Sequence, residues 1–225
     1  MGLATNKDSF TVETKMANTI LEIIKVDTRY VDDIKSSFDK LPESDHKDGN
    51  YRLRKYSHVL VDCEVDTQIS DLGVTQFKQS SKYNQHQGGM ARNFNSIDEH
   101  VLQSPGMLEI VKAFMDACKF VVVEMDIHQM RVKCQGGATQ LSPEGWHQDG
   151  YDCIAMIGIN RCNIMGGEIL LSTSKTEPPF LEAVMDPGTM VIVDDSHLWH
   201  NGGAIQPVIN DEPAYMDAMV FTAKR

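Results

Sequence analysis

The stretch 142-SPEGWHQDGYD-152 places His147 and Asp149 two residues apart, just beyond a Pro and a Gly. In an extended chain residues i and i+2 face the same side, so an imidazole and a carboxylate at this spacing converge on one point. That is the geometry of two metal ligands. The pair alone is weak evidence in a chain with eight histidines and 32 acidic residues, and a metal site needs a third ligand and a scaffold to present it.

The scaffold is legible in the periodicity. The segment 27-DTRYVDDIKSSFDKLP-42 carries Val31, Ile34, Phe38 and Leu41 at helical spacing, with Pro42 as a stop. A second helix is expected over 104-SPGMLEIVKAFMDACKF-120, where Leu108, Ile110, Val111, Phe114, Met115 and Cys118 form a broad apolar stripe. Between them 56-YSHVLVDCEV-65 reads as a strand, and 77–94 as a loop with short strands. From about residue 120 the pattern changes to strand-like runs parted by Gly, Pro and Asn: 120–134, 153–160, 167–173, 181–185, 189–195 and 215–223. Helices first and regularly spaced strands after them predict an α+β chain. Its core is expected to be a jelly roll (a cupin-like double-stranded β-helix) with the N-terminal helices packed on one face. Residues 1–17 are polar and expected to be a loose tail, leaving 18–225 as a single domain.

Composition narrows the function. A net charge of −11 with scattered basic residues argues against nucleic acid, whose phosphates need clustered Lys and Arg. No apolar run approaches the roughly 20 residues that cross a bilayer, and the N-terminus lacks the pattern of a secretory signal. Five cysteines, an odd number without a CxxC pair, suit reduced thiols in the cytoplasm better than a disulfide framework or a structural zinc site. Neither a Gly-rich phosphate loop nor a GxSxG elbow is present.

The third ligand is sought in 187-PGTMVIVDDSHLWHNG-202, where a buried-looking strand runs into His197 and His200. Two histidines and one carboxylate that leave coordination positions open form the facial triad of non-haem Fe(II) oxygenases. By spacing alone, both histidines can equally be surface loop residues. The order His-x-Asp, apolar strand, 166-GGE-168, buried strand, His and final strand resembles the Fe(II)/2-oxoglutarate-dependent dioxygenases, and more narrowly the bacterial hydroxylases of free amino acids. The pieces that carry this likeness are 128-HQMRV-132, 142–152, 160-NRCNIMGGEILL-171 and 187–202, with weaker likeness in 51-YRLRKYSHVLV-61 and 77–94.

The resemblance implies that His147, Asp149 and His200 hold Fe(II), with His197 a neighbour. It further implies that 2-oxoglutarate and O2 are co-substrates. A small molecule, a free amino acid or related metabolite, is then hydroxylated while succinate and CO2 are released. In such enzymes the last strand opens with an Arg that pairs with the far carboxylate of 2-oxoglutarate, whereas here that position is Met216. An unpaired buried carboxylate is costly, so another cation must serve, or the co-substrate differs. Arg131 and Arg161, on the strands expected to flank the last one, are the candidates for 2-oxoglutarate. Arg92, in 88-GGMARNF-94, is the candidate for the substrate's carboxylate. A different co-substrate, or a non-catalytic binding protein on the same fold, are the competing readings.

Overall fold

The computed structural model describes residues 21–83, 86 and 88–225, so the tail expected over 1–17 lies outside the described residues. Strand β1 (Leu21–Lys25) precedes helix α1 (Thr28–Lys35), which a 3-10 turn over Ser36–Lys40 extends. Long β2 (Arg52–Asp62) turns back into β3 (Gln68–Val74), and short β4 (Gln76–Lys78) pairs with β5 (Ala91–Asn93). After α2 (Glu99–Leu102) and α3 (Pro105–Cys118) comes β6 (Val122–Lys133), then β7 (Thr139–Gln140) and β8 (Cys153–Cys162). The remaining strands are β9 (Ile164–Gly166), β10 (Glu168–Ser172), β11 (Leu181–Val184), β12 (Thr189–Asp194), β13 (Trp199–Gly202), β14 (Ala204–Pro207) and β15 (Tyr215–Ala223).

Local chemistry sets the helix ends. The Asp27 carboxylate accepts the Arg29 amide at the start of α1. Ser104 caps α3 by accepting the Met107 amide, with Pro105 in the first turn where its missing N–H costs nothing. Helix α3 closes on Lys119 in the left-handed conformation, at φ 58°.

Seven strands form one large antiparallel sheet in the order β1-β12-β8-β15-β6-β2-β3, faced by the small sheets β11-β10-β13 and β7-β14-β9. This is the expected jelly roll, and its two faces bury different things. One face of the large sheet packs Ile127, Ile157, Met219 and Phe221 against Val31 and Ile34 of α1 and Ile110 and Phe114 of α3. The other face packs Val132, Ile154, Val191 and Met216 against Leu171 and Ile205 of the small sheets. Because side chains alternate along a strand, even-numbered residues of β15 look into the jelly roll and odd-numbered ones look at the helices. Strand β1, which pairs with the edge of β12, was not part of the sequence expectation.

Candidate metal centre

His147 and His200, 53 residues apart in sequence, meet because their backbones form an isolated antiparallel bridge: each amide donates to the other's carbonyl at 3.0 Å. Asp149 completes the group. Its Oδ1 lies 3.7 Å from His147 Nε2 and its Oδ2 3.4 Å from His200 Nε2, and the three ligand atoms fall within 4.8 Å of one another. The His147 Nδ1 sits 2.7 Å from the Gly145 carbonyl, which fixes the ring and leaves Nε2 for a metal. Burial and the neighbouring His200 push the His147 pKa down. Burial raises that of Asp149, but His200 and His147 outweigh it and hold the carboxyl below the usual range. Burial pulls the His200 pKa down, but the Asp149 and Asp195 carboxylates outweigh it and raise it, so His200 gives up a proton when a cation binds. Two imidazoles and one ionised carboxylate are a donor set that fits Fe(II). His197, in contrast, is exposed and engaged by Asp194 and Ser196.

The ligands stand in a bracket of hydrogen bonds. The fully buried carboxylate of Asp195 accepts the amides of Asp149 at 2.8 Å, Gly150 at 2.6 Å and Tyr151 at 3.1 Å. Its Oδ1 also lies 3.6 Å from His200 Nδ1. Burial lifts the Asp195 pKa to about 6 against these partners. Gln79 donates to Asp149 Oδ1 at 2.6 Å. Gly150 has φ +86°, and a Cβ there would sit 2.5 Å from the Tyr83 ring, so only glycine lets the chain turn under that ring. Asp126 accepts the hydroxyls of Tyr56 and Tyr151, tying the segment after Asp149 to the large sheet. Asp195, Gln79 and Asp126 escaped the sequence reading; the doublet Asp194-Asp195 after an apolar strand was the one available signal.

A pocket opens beside the triad, floored by the inner face of the large sheet. Strand register arranges that face of the sheet in rows, most of whose members line the pocket. Arg52, Val132, Met216 and Arg161 form one row across β2, β6, β15 and β8. Arg54, Met130, Ala218 and Gly158 form the next, and Tyr56, His128, Val220 and Met156 the third. Arg52 is paired with Asp48 at 2.7 Å. Arg54 and Arg92 lie over the ring of Phe94, and Arg92 also over Phe77; among the described residues neither has a carboxylate within 4.0 Å. Burial and the charges of Arg52 and Arg92 lower the Arg54 pKa to about 9.

Of the arginines expected from the sequence, Arg92 lines the pocket. Arg131 is a correction: it pairs with Asp217, one residue out of step with Met216, so it faces the helices. There it makes two contacts to the Asp217 carboxylate, at 2.6 and 2.8 Å, reaches Asp39 at 3.0 Å and covers the Tyr215 ring. Arg131 is a structural brace and cannot reach the pocket. Arg161 is the register partner of Met216 and shares its face, but it is not among the residues that line the pocket: its guanidinium stands behind Gly167 and Met216, which are.

With this geometry in place, comparison with known proteins decides the family. A family model described as 2OG-Fe dioxygenase matches residues 35–222. The chain belongs to the 2OG-Fe dioxygenase family. Enzymes of this family use Fe(II), 2-oxoglutarate and O2. An L-isoleucine-4-hydroxylase of Bacillus thuringiensis is 30% identical over 140 residues, and the match spans 57% of this chain and 57% of that relative. Two crystal structures share the fold. A bsmA homolog from Methylobium petroleophilum has a TM-score of 0.73 at 24% identity, covering 87% of this chain and 81% of that one. The IDO of Bacillus thuringiensis has a TM-score of 0.70 at 17% identity, covering 90% and 89%. No helix among the described residues is long and apolar enough to cross a membrane.

Proposed function

We propose that this dioxygenase hydroxylates a small free amino acid, with 2-oxoglutarate converted to succinate and CO2. The observation that carries the substrate class is the pair Arg54 and Arg92, two guanidinium groups held over aromatic rings without a carboxylate partner among the described residues. Buried guanidinium groups without an anion are costly, and a substrate carboxylate relieves that cost through charge-assisted hydrogen bonds. Glu144 adds the opposite charge. It lines the same pocket, and its Oε2 has no hydrogen-bond partner among the described residues, with Arg52 3.8 Å from it and His147 Nε2 3.7 Å from Oε1, which leaves room on Oε2 for the hydrogen bond of an ammonium group. A zwitterion satisfies both ends, and the substrate named for the L-isoleucine-4-hydroxylase relative is of that class.

Each residue then has a task. His147, Asp149 and His200 hold Fe(II), which with O2 and 2-oxoglutarate supplies the oxidising chemistry. Arg92 and Arg54 orient the substrate by its carboxylate. The apolar floor of Met130, Val132 and Val220 excludes water beside the carbon that reacts. Free cysteines throughout the described chain agree with a cytoplasmic setting. The intact triad counts against a non-catalytic binding protein. Incubation with Fe(II), ascorbate, 2-oxoglutarate and each of the common amino acids, read by mass spectrometry, tests the reading. One amino acid should gain an oxygen atom in step with succinate formation. Succinate without any oxygenated amino acid would refute the substrate class.

A further inference from the structure

The far carboxylate of 2-oxoglutarate needs a cation in a pocket whose usual position for it holds Met216. We infer that Arg161 takes this role, reaching in from the neighbouring strand, and that a β-bulge makes this possible.

Strict alternation along β8 would place Arg161 on the helix side, because Ile154, Met156 and Gly158 are the register partners of the inward residues Thr222, Val220 and Ala218. The register between β8 and β15 shifts at Asp217/Ala218: Ala218 pairs with Gly158, but Asp217 pairs with Asn160 and Met216 with Arg161. Ile159 is the extra residue, and it packs among the side chains on the helix face. One extra residue reverses the parity beyond it, which turns Arg161 inward beside Met216.

The guanidinium confirms that direction. One terminal nitrogen, Nη1, lies 3.9 Å from the Met216 sulfur, and the other donates to the Gly166 carbonyl at 2.6 Å. Among the described residues the one carboxylate oxygen within 4.0 Å belongs to exposed Asp186, at 3.9 Å from Nε, a contact too long and too solvated to satisfy the charge. Nη1 therefore has a sulfur neighbour and, among the described residues, no oxygen acceptor. Gly167 opens the way to it. A Cβ on that glycine would lie 3.3 Å from both Arg161 Nη1 and the Met216 sulfur, filling the gap between Nη1 and the pocket that Gly167 lines.

The competing cations fail on distance or pairing. Arg52 shares the row but stands two strands from Met216, about 10 Å away at about 4.8 Å per strand, and Asp48 already neutralises it at 2.7 Å. Arg54 is also two strands away, in the next row. Arg131 lies on the other face.

The inference rests on 2-oxoglutarate being the co-substrate, and the test separates the two ideas. Binding to the anaerobic Fe(II) protein is followed by calorimetry and by the metal-to-ligand absorption band. The probes are 2-oxoglutarate and 2-oxopentanoate, which has the same chain length without the far carboxylate. The wild type should prefer 2-oxoglutarate strongly. Arg161→Met should weaken 2-oxoglutarate roughly 30-fold or more, the loss of one desolvated charge partner, with 2-oxopentanoate and Fe(II) binding unchanged. Adding Met216→Arg to Arg161→Met should recover at least a tenfold share of that loss by returning the cation to β15. A wild type that binds both acids equally overturns the co-substrate reading itself. If the wild type discriminates and Arg161→Met discriminates equally well, the assignment to Arg161 is wrong. Equal loss of both acids in Arg161→Met also refutes it, since that result reports damage to the metal end.

Discussion

Three amides, those of Asp149, Gly150 and Tyr151, converge on the buried Asp195 carboxylate. Asp195→Ala leaves every metal donor in place and removes the bracket that aims them. Orphaned buried amides cost about 1–3 kcal/mol each before relaxation, and loss of such support typically weakens a metal site 10- to 100-fold. Urea unfolding and chelator competition should show both effects. His200→Ala should abolish Fe(II) binding while His197→Ala retains it; the reverse would show that the wrong histidine has been placed on the metal. His128 offers a pH test. Burial, reinforced by Arg54, drives its pKa from 6.5 to about 3, so the fold keeps it neutral. The unfolded chain takes up that proton below pH 6.5, so the stabilisation is present above this value and is lost as pH falls. By linkage the loss at pH 5 is about 2 kcal/mol. The metal-free wild type should lose that much more than His128→Gln between pH 7.5 and 5, measured by denaturant titration at each pH.

At the scale of elements, parity decides which arginine does what. Arg131→Ala strips the partner from Asp217, whose side chain is 0% exposed, and should destabilise the fold by about 3–5 kcal/mol. The surviving native protein should bind 2-oxoglutarate as before; weakened binding at constant fold would put Arg131 back in the pocket. Helix α3 ends on Lys119 at φ 58°, a conformation that suits glycine. Lys119→Gly should therefore raise stability by a few tenths to about 1 kcal/mol, visible as a higher melting temperature. Helices α1 and α3 and six of the ten strands after residue 120 could be read from periodicity, and the triad from its motifs and the family resemblance; short β7, β9, β13 and β14 could not. The face occupied by Arg131 or Arg161 could not. Nothing in "IGINRC" announces that Ile159 is an extra residue, because a bulge is set by pairing with β15 and not by local propensity. Gln79 and Asp126 were illegible for a similar reason: their roles come from contacts 70 and 25 residues away in sequence.

For the whole molecule, the jelly roll divides labour between its faces, with the helix side of the large sheet carrying the larger apolar cluster and the inner side carrying the chemistry. Ligands that bind only the folded site must stabilise everything built on it. Fe(II) at a hundred times its dissociation constant should add about 2.7 kcal/mol to unfolding, and the His200→Ala protein should show none of this gain. The inner wall has a further property. Met130, Met156, Met185 and Met216 all face the pocket, and thioethers are among the most readily oxidised groups a protein can offer. While the substrate occupies the pocket it intercepts the oxidant; when the pocket is empty, these thioethers are exposed to it. An enzyme left idling in Fe(II), 2-oxoglutarate and air should therefore age by accumulating sulfoxide on these four side chains, detectable by peptide mass mapping, and the true substrate should act as its preservative.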